Sequence, residues 1–162
     1  MNTYVTGLLF LLLSSSCFGQ DYSLPTGDYM DTTYQMSSKC SSCRIVYYYH
    51  INAKYPKSSA TLRTEVNQYL LERKRSYQGS GYVTFRFMID CEGKRVQRVR
   101  VLQTSSDYKT YQFDKVFVND LFDFIKTLDR WQPGHYKNLF PVNYLTYLSF
   151  KIHDGKVIAV LP

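Results

Sequence analysis

Long apolar runs are almost missing from this sequence. The only one, Gly7 to Leu13, is too short to cross a bilayer stably, so no transmembrane span is expected in the mature chain. There is no glycine-rich phosphate loop and no serine elbow, which removes the commonest signatures of nucleotide and ester chemistry. The three histidines, His50, His135 and His153, stand beside no nucleophile and in no metal-ligand spacing, and read as surface or packing residues. Glu65 and Glu72 lie seven residues apart near one helix face, without any further sign of a glycosidase pair. No internal repeat and no low-complexity linker occurs. The chain is therefore not expected to be an enzyme or to hold a cofactor or metal.

What is present begins with a leader. Gly7 to Leu13 followed by small residues suits the h-region of a secretory signal peptide, with cleavage after Gly19. Met1 to Tyr4 lacks the usual lysine or arginine. A second reading makes Cys17 an acylated lipoprotein cysteine, but Ser14 stands where an aliphatic residue is usual. The expected organisation is a signal peptide at 1–19, an irregular lead-in at 20–43, and a single domain at 44–162. The expected location is the periplasm, with a lipid-anchored or secreted chain as the alternatives.

The formal charge of +7 lies wholly outside Met1 to Gly19. A basic exported protein meets acidic lipids, polysaccharides or acidic protein surfaces rather than nucleic acid. Three cysteines remain after processing, in a compartment that permits disulfides: Cys40, Cys43 and Cys91. Cys40 and Cys43 can close on each other, or one of them can reach Cys91, and one thiol is left over. Redox work would place this CxxC at a helix start after a strand, whereas Arg44 to Tyr49 after it reads as a strand. A zinc site drawing on His50 or His153 is the weaker alternative.

Along the chain, Asp21 to Lys39 lacks periodicity and Arg44 to His50 is rich in β-branched and aromatic residues. Ser58 or Ser59 caps a helix reaching about Arg73, with Leu62, Val66, Tyr69 and Leu70 on one stripe. Gly81 to Leu102 reads as a hairpin: Val83, Phe85, Phe87 and Ile89 alternate with polar residues, and Asp90 to Lys94 turns the chain. A second amphipathic helix runs from about Asp114 to Leu128. Val142 to Ile152 is the longest strand, and Asp154-Gly155 signals a tight hairpin into Lys156 to Leu161.

In this order the sequence resembles the C-terminal domain of TonB. The resembling residues are Tyr55-Pro56, the alternating Gly81 to Ile89 with Gly93 in its turn, Val99 and Val101, Phe113-Asp114, the Trp131-x-Pro133-Gly134 corner, and Pro141-Val142 leading to Phe150. The match covers about two-thirds of the chain, roughly Ala53 to Ile152. It implies an α+β fold, a small antiparallel sheet of three to four strands with two helices on one face. It also implies binding of an extended protein segment at an exposed sheet edge, the partner being an envelope protein such as a TonB-dependent outer-membrane receptor. The edge candidates are Val142, Tyr144, Thr146, Leu148 and Phe150. With five scattered prolines and no retained membrane helix, the chain departs from a TonB energy transducer and reads as a stand-alone domain.

Two further expectations follow. If the helices cover the face bearing Val83 and Phe85, then Arg86, Arg98, Arg100 and Lys151 share an open basic face suited to an acidic partner. If the tail after Asp154 folds onto the long strand, edge pairing is blocked there and a structural or accessory envelope role becomes the alternative.

Overall fold

The computed structural model describes residues 27–30 and 36–161, with Tyr29 and residues 95–98 described by their backbone alone. The expected leader, its cleavage site and Cys17 lie outside the described residues.

The strands are β1 (Asp28–Tyr29), β2 (Ile45–Tyr47), β3 (Gly81–Ile89), β4 (Arg95–Ser105), β5 (Gly134–Tyr136), β6 (Phe140–His153) and β7 (Lys156–Leu161). The helices are α1 (Ser38–Ser41), α2 (Ser59–Glu72) and α3 (Lys115–Lys126), with a 3-10 turn at Tyr48–His50. The class is α+β, as expected. The sheet is larger than the three or four strands expected, and it is mixed rather than antiparallel. Its order is β1-β4-β3-β6-β2, with β7 and β5 also paired to β6. Most pairs are antiparallel, but β2 runs parallel to β6. The lead-in contributes to this enlargement: β1 adds a short rung to β4, and Met30 N–H donates to Val99 O.

Local chemistry sets the element boundaries. Ser58 Oγ accepts from Thr61 N–H and starts α2, while Asp114 accepts from Val116 and Phe117 N–H and starts α3. Asp90, fully buried, accepts from Glu92 and Lys94 N–H through one carboxylate oxygen and so shapes the β3–β4 turn. Gly93 at φ +81° completes it, and a Cβ there would sit 2.5 Å from the Trp131 carbonyl oxygen. The turn is thus pressed against the Trp131 corner. Asp154 (φ 46°) and Gly155 (φ 73°) make the left-handed two-residue turn into β7.

Both long helices cover one face of the sheet. Val83, Phe85, Phe87 and Ile89 alternate inward and are sealed, joined by Val99, Val101, Leu148 and Phe150. Helix α3 lays Phe122 over Phe85 and Phe124 edge-on to Phe150, while α2 buries Leu62, Val66 and Leu70.

Candidate functional site

The expected binding edge is not an edge. Val142, Tyr144, Thr146, Leu148 and Phe150 are all buried. Strand β6 pairs with β3 from Ile152 to Tyr144 on one side. On the other it is flanked by β2 at Asn143 to Leu145 and by β7 from Ser149 to His153, and β5 pairs with its first residues, Phe140 to Val142. Strand β2 and the tail strand β7 both fold against it, so most of this side is already paired. Beside the interval between β2 and β7 stands the 3-10 turn, with Tyr48 edge-on to Tyr147. A hollow of about 220 Å³ remains there, lined by Tyr48, Tyr55, Trp131 and Thr146.

The flanking by β2 is secured by a disulfide that differs from the Cys40–Cys43 closure considered above. Cys40 is bonded to Cys91 in the β3–β4 turn, with Cα atoms 5.5 Å apart, and Cys43 is the free thiol. The short helix α1 buries Cys40 toward the turn and leaves Cys43 half-exposed. Buried Asn143 sits at this junction. Its Nδ2 donates to Cys40 O at 2.9 Å and to Cys43 O at 3.3 Å, and its Oδ1 accepts from Cys91 N–H at 2.9 Å. One side chain of β6 thereby bonds the backbone on both halves of the disulfide, and Asn143 N–H adds a bond to Arg44 O. Nothing in the sequence distinguishes Asn143 from a surface asparagine.

The open margin is the outer side of β7. A groove of about 710 Å³ runs between β7 and α2, bordered by Arg63, Leu70, Leu71, Arg75, Lys156 and Ile158. Leu71 and Ile158 are exposed. At Val157 the margin is partly shielded: Asn67 Nδ2 donates to Val157 O at 2.7 Å and Asn67 Oδ1 accepts from Val157 N–H at 3.2 Å. This is the two-point contact that a neighbouring strand's peptide group would make. At the groove's other end, buried Asp120 of α3 accepts from Arg75 at 2.8 Å and from Tyr77 Oη at 2.8 Å. Burial, then this bond and the carboxylate's charge, push the Tyr77 phenol up to about 12.

The face opposite the helices carries the expected cations. Arg86 stands directly across from Arg100 on β4 and from Tyr147 on β6. Lys151 lies across from Tyr82, with Nζ 5.8 Å from its ring centre. Arg98 belongs to β4, but its side chain lies outside the described residues. At the Trp131 to Gly134 corner, Trp131 is buried between Tyr55 and Phe87, Pro133 is exposed, and Gly134 begins β5. The Trp131 indole N–H is the one buried side-chain polar atom without a partner among the described residues.

The histidines do not converge on chemistry. His50 packs edge-on to Tyr47 and Tyr49, His135 is exposed on β5, and His153 faces Asp154 at 3.6 Å. Cys40, Asp90 and Glu92 form the one cluster of three metal-type ligands among the described residues. Its sulfur is committed to the disulfide, and Glu92 pairs with Lys39 and Lys94. Among the described residues no helix is long and apolar enough to cross a membrane. Comparison with known protein families, curated proteins and solved structures found no match to this chain.

Proposed function

We propose that this chain is an exported protein-interaction module that captures an extended protein segment by strand addition along the outer side of β7. The observation that carries the reading is the β7–α2 groove. It joins a sheet margin to exposed Leu71 and Ile158 and to the cations Arg63 and Lys156, with Arg75 already paired to Asp120, and with Asp154 standing at the turn end. A strand laid there gains main-chain bonds from the margin, side-chain specificity from the groove and charge attraction if it is acidic. The resemblance to TonB C-terminal domains points the same way, with edge pairing moved from β6 to β7. It suggests an envelope protein as partner, a TonB-dependent outer-membrane receptor among them. The Cys40–Cys91 disulfide supports an oxidising compartment, as the leader does.

Asn67 favours a second reading. By occupying the groups at Val157 it blunts the margin, as expected of an accessory envelope protein that must avoid edge pairing. Selection from a displayed library of extended peptides about ten residues long separates the two. Strand addition predicts acidic peptides that lose about tenfold in affinity on Ile158→Asp and gain on Asn67→Ala. Peptides indifferent to both substitutions would leave the accessory role standing.

A further inference from the structure

We infer that the groove between β4 and α3 is a strand-binding site in its own right, held in this structure by the chain's own β1. Its partner is an extended protein segment with an acidic residue and, two positions on, a large aromatic one. The site is independent of the β7 margin. Strand β1 is only Asp28–Tyr29, and it pairs antiparallel with β4 at Val101 and Arg100. Met30 N–H adds one bond to Val99 O at 2.9 Å. Among the described residues no strand pairs with Arg95 to Arg98 on this side of β4. At the other end Gln103 O accepts from Tyr111 N–H, which closes the margin there. So short a strand gains few main-chain bonds against the cost of ordering its segment, and a better-fitting segment displaces it readily.

The seated segment shows what the groove accepts. Asp28 stands across from Val101, which is buried beneath the helices, so Asp28 and Met30, two residues on, belong to the inward side. Both border a hollow of about 460 Å³ against α3, whose apolar lining is Val101, Phe113 and Val118. Phe113 N–H donates to Gln103 Oε1 at 2.8 Å, which ties this wall to β4. Met30 packs against the core and still leaves the hollow open. A cavity of about 150 Å³ holds a benzene ring, so an aromatic side chain in the place of Met30 has room to enter. Lys115 is the one cation on the lining and Asp28 the one acid. With β1 displaced, the lining keeps Lys115 and no carboxylate, and an incoming acid restores the balance.

Gly27 shows how closely the segment is fitted. A Cβ there would lie 2.3 Å from Val101 O and 2.9 Å from Val101 C, so a larger residue pushes the strand off β4. Substitution at Gly27 therefore empties the site without touching its walls. The lead-in of a second copy is the rival occupant. It would exchange one β1 for an identical one and leave the hollow as unfilled as before.

The test uses the intact chain, unaltered and with Gly27→Val, and a peptide of the lead-in sequence, residues 24–32, that carries tryptophan in place of Met30. Residue-resolved amide shifts and exchange of the chain report where the peptide binds. It should protect β4 and bind the Gly27→Val chain at least about tenfold more tightly than the unaltered chain, whose tethered β1 competes. The same peptide with Met30 retained should bind about tenfold more weakly. Lys115→Gln, at an exposed position, should cost about threefold. Ile158→Asp should change nothing, which separates this site from the β7 margin. Equal affinity for the two chains or of the two peptides, protection in β7 instead of β4, dimerisation by exchange of β1, or no binding at about 1 mM peptide would overturn the inference.

Discussion

Val83, Phe85, Phe87 and Ile89 face the helices and are sealed, while Tyr82, Thr84, Arg86 and Met88, each one residue away, face outward and stay partly exposed. One strand thus carries two sets of residues under different demands. The inward set is apolar and interlocks with α3 through Phe122 and Phe124. The outward set mixes a tyrosine, a threonine, a methionine and Arg86, which stands across from Arg100. Burial is concentrated on the side of the sheet that the helices cover.

The contrast is sharpest when tested on adjacent positions. Phe85→Ala should cost about 3–5 kcal/mol in urea unfolding, through lost burial and the cavity left between α3 and β6. Next in size is Cys91→Ser. It frees the lead-in from the hairpin turn and should cost about 2–4 kcal/mol, with faster amide exchange in β2. Asn143→Ala should cost about 2 kcal/mol, since it strands the Cys91 N–H and the Cys40 carbonyl. Arg86→Ala should change stability by less than about 0.5 kcal/mol, since its side chain is partly exposed and away from the helix-covered core. A loss at Arg86 equal to that at Phe85 would abolish the distinction between the faces.

The smallest effect is one of pH. Tyr77 holds its proton more tightly folded than unfolded, where the phenol titrates near 10. Its contribution is complete below about pH 10 and is lost as pH rises toward about 12, because only the unfolded chain releases the proton in that window. Tyr77→Phe should flatten the decline of stability across this range. Tyr144, whose phenol donates to Gln132 O and is also raised by burial, should supply the remaining slope.

Much of the local structure was legible because it depends on neighbours in sequence. The Ser58 and Asp114 caps, the alternation of Gly81 to Ile89 and the Asp154-Gly155 turn each state their conformation within a few residues. The sheet's true extent was not legible. Strand β2 is three residues long and pairs with β6 about a hundred positions away, without the alternation that marks a half-buried strand. The choice of Cys91 over Cys43 as partner of Cys40 depends on the fold of the hairpin turn, and spacing alone is equally compatible with either. The misplaced edge follows from the first gap: Val142 to Phe150 reads as an edge only when β2 and the tail strand β7 are left off β6. Period-2 alternation places Arg86, Arg100 and Lys151 opposite the inward face once that face is known.

The most direct test of strand addition at β7 is residue-resolved amide exchange of the chain, alone and with a peptide from the selection bound. The account predicts new protection in β7 on binding, with β6 and β2 unchanged. Protection that instead appears in β6 as β2 loses its own would mean that β2 is displaced and that the binding edge lies where it now sits.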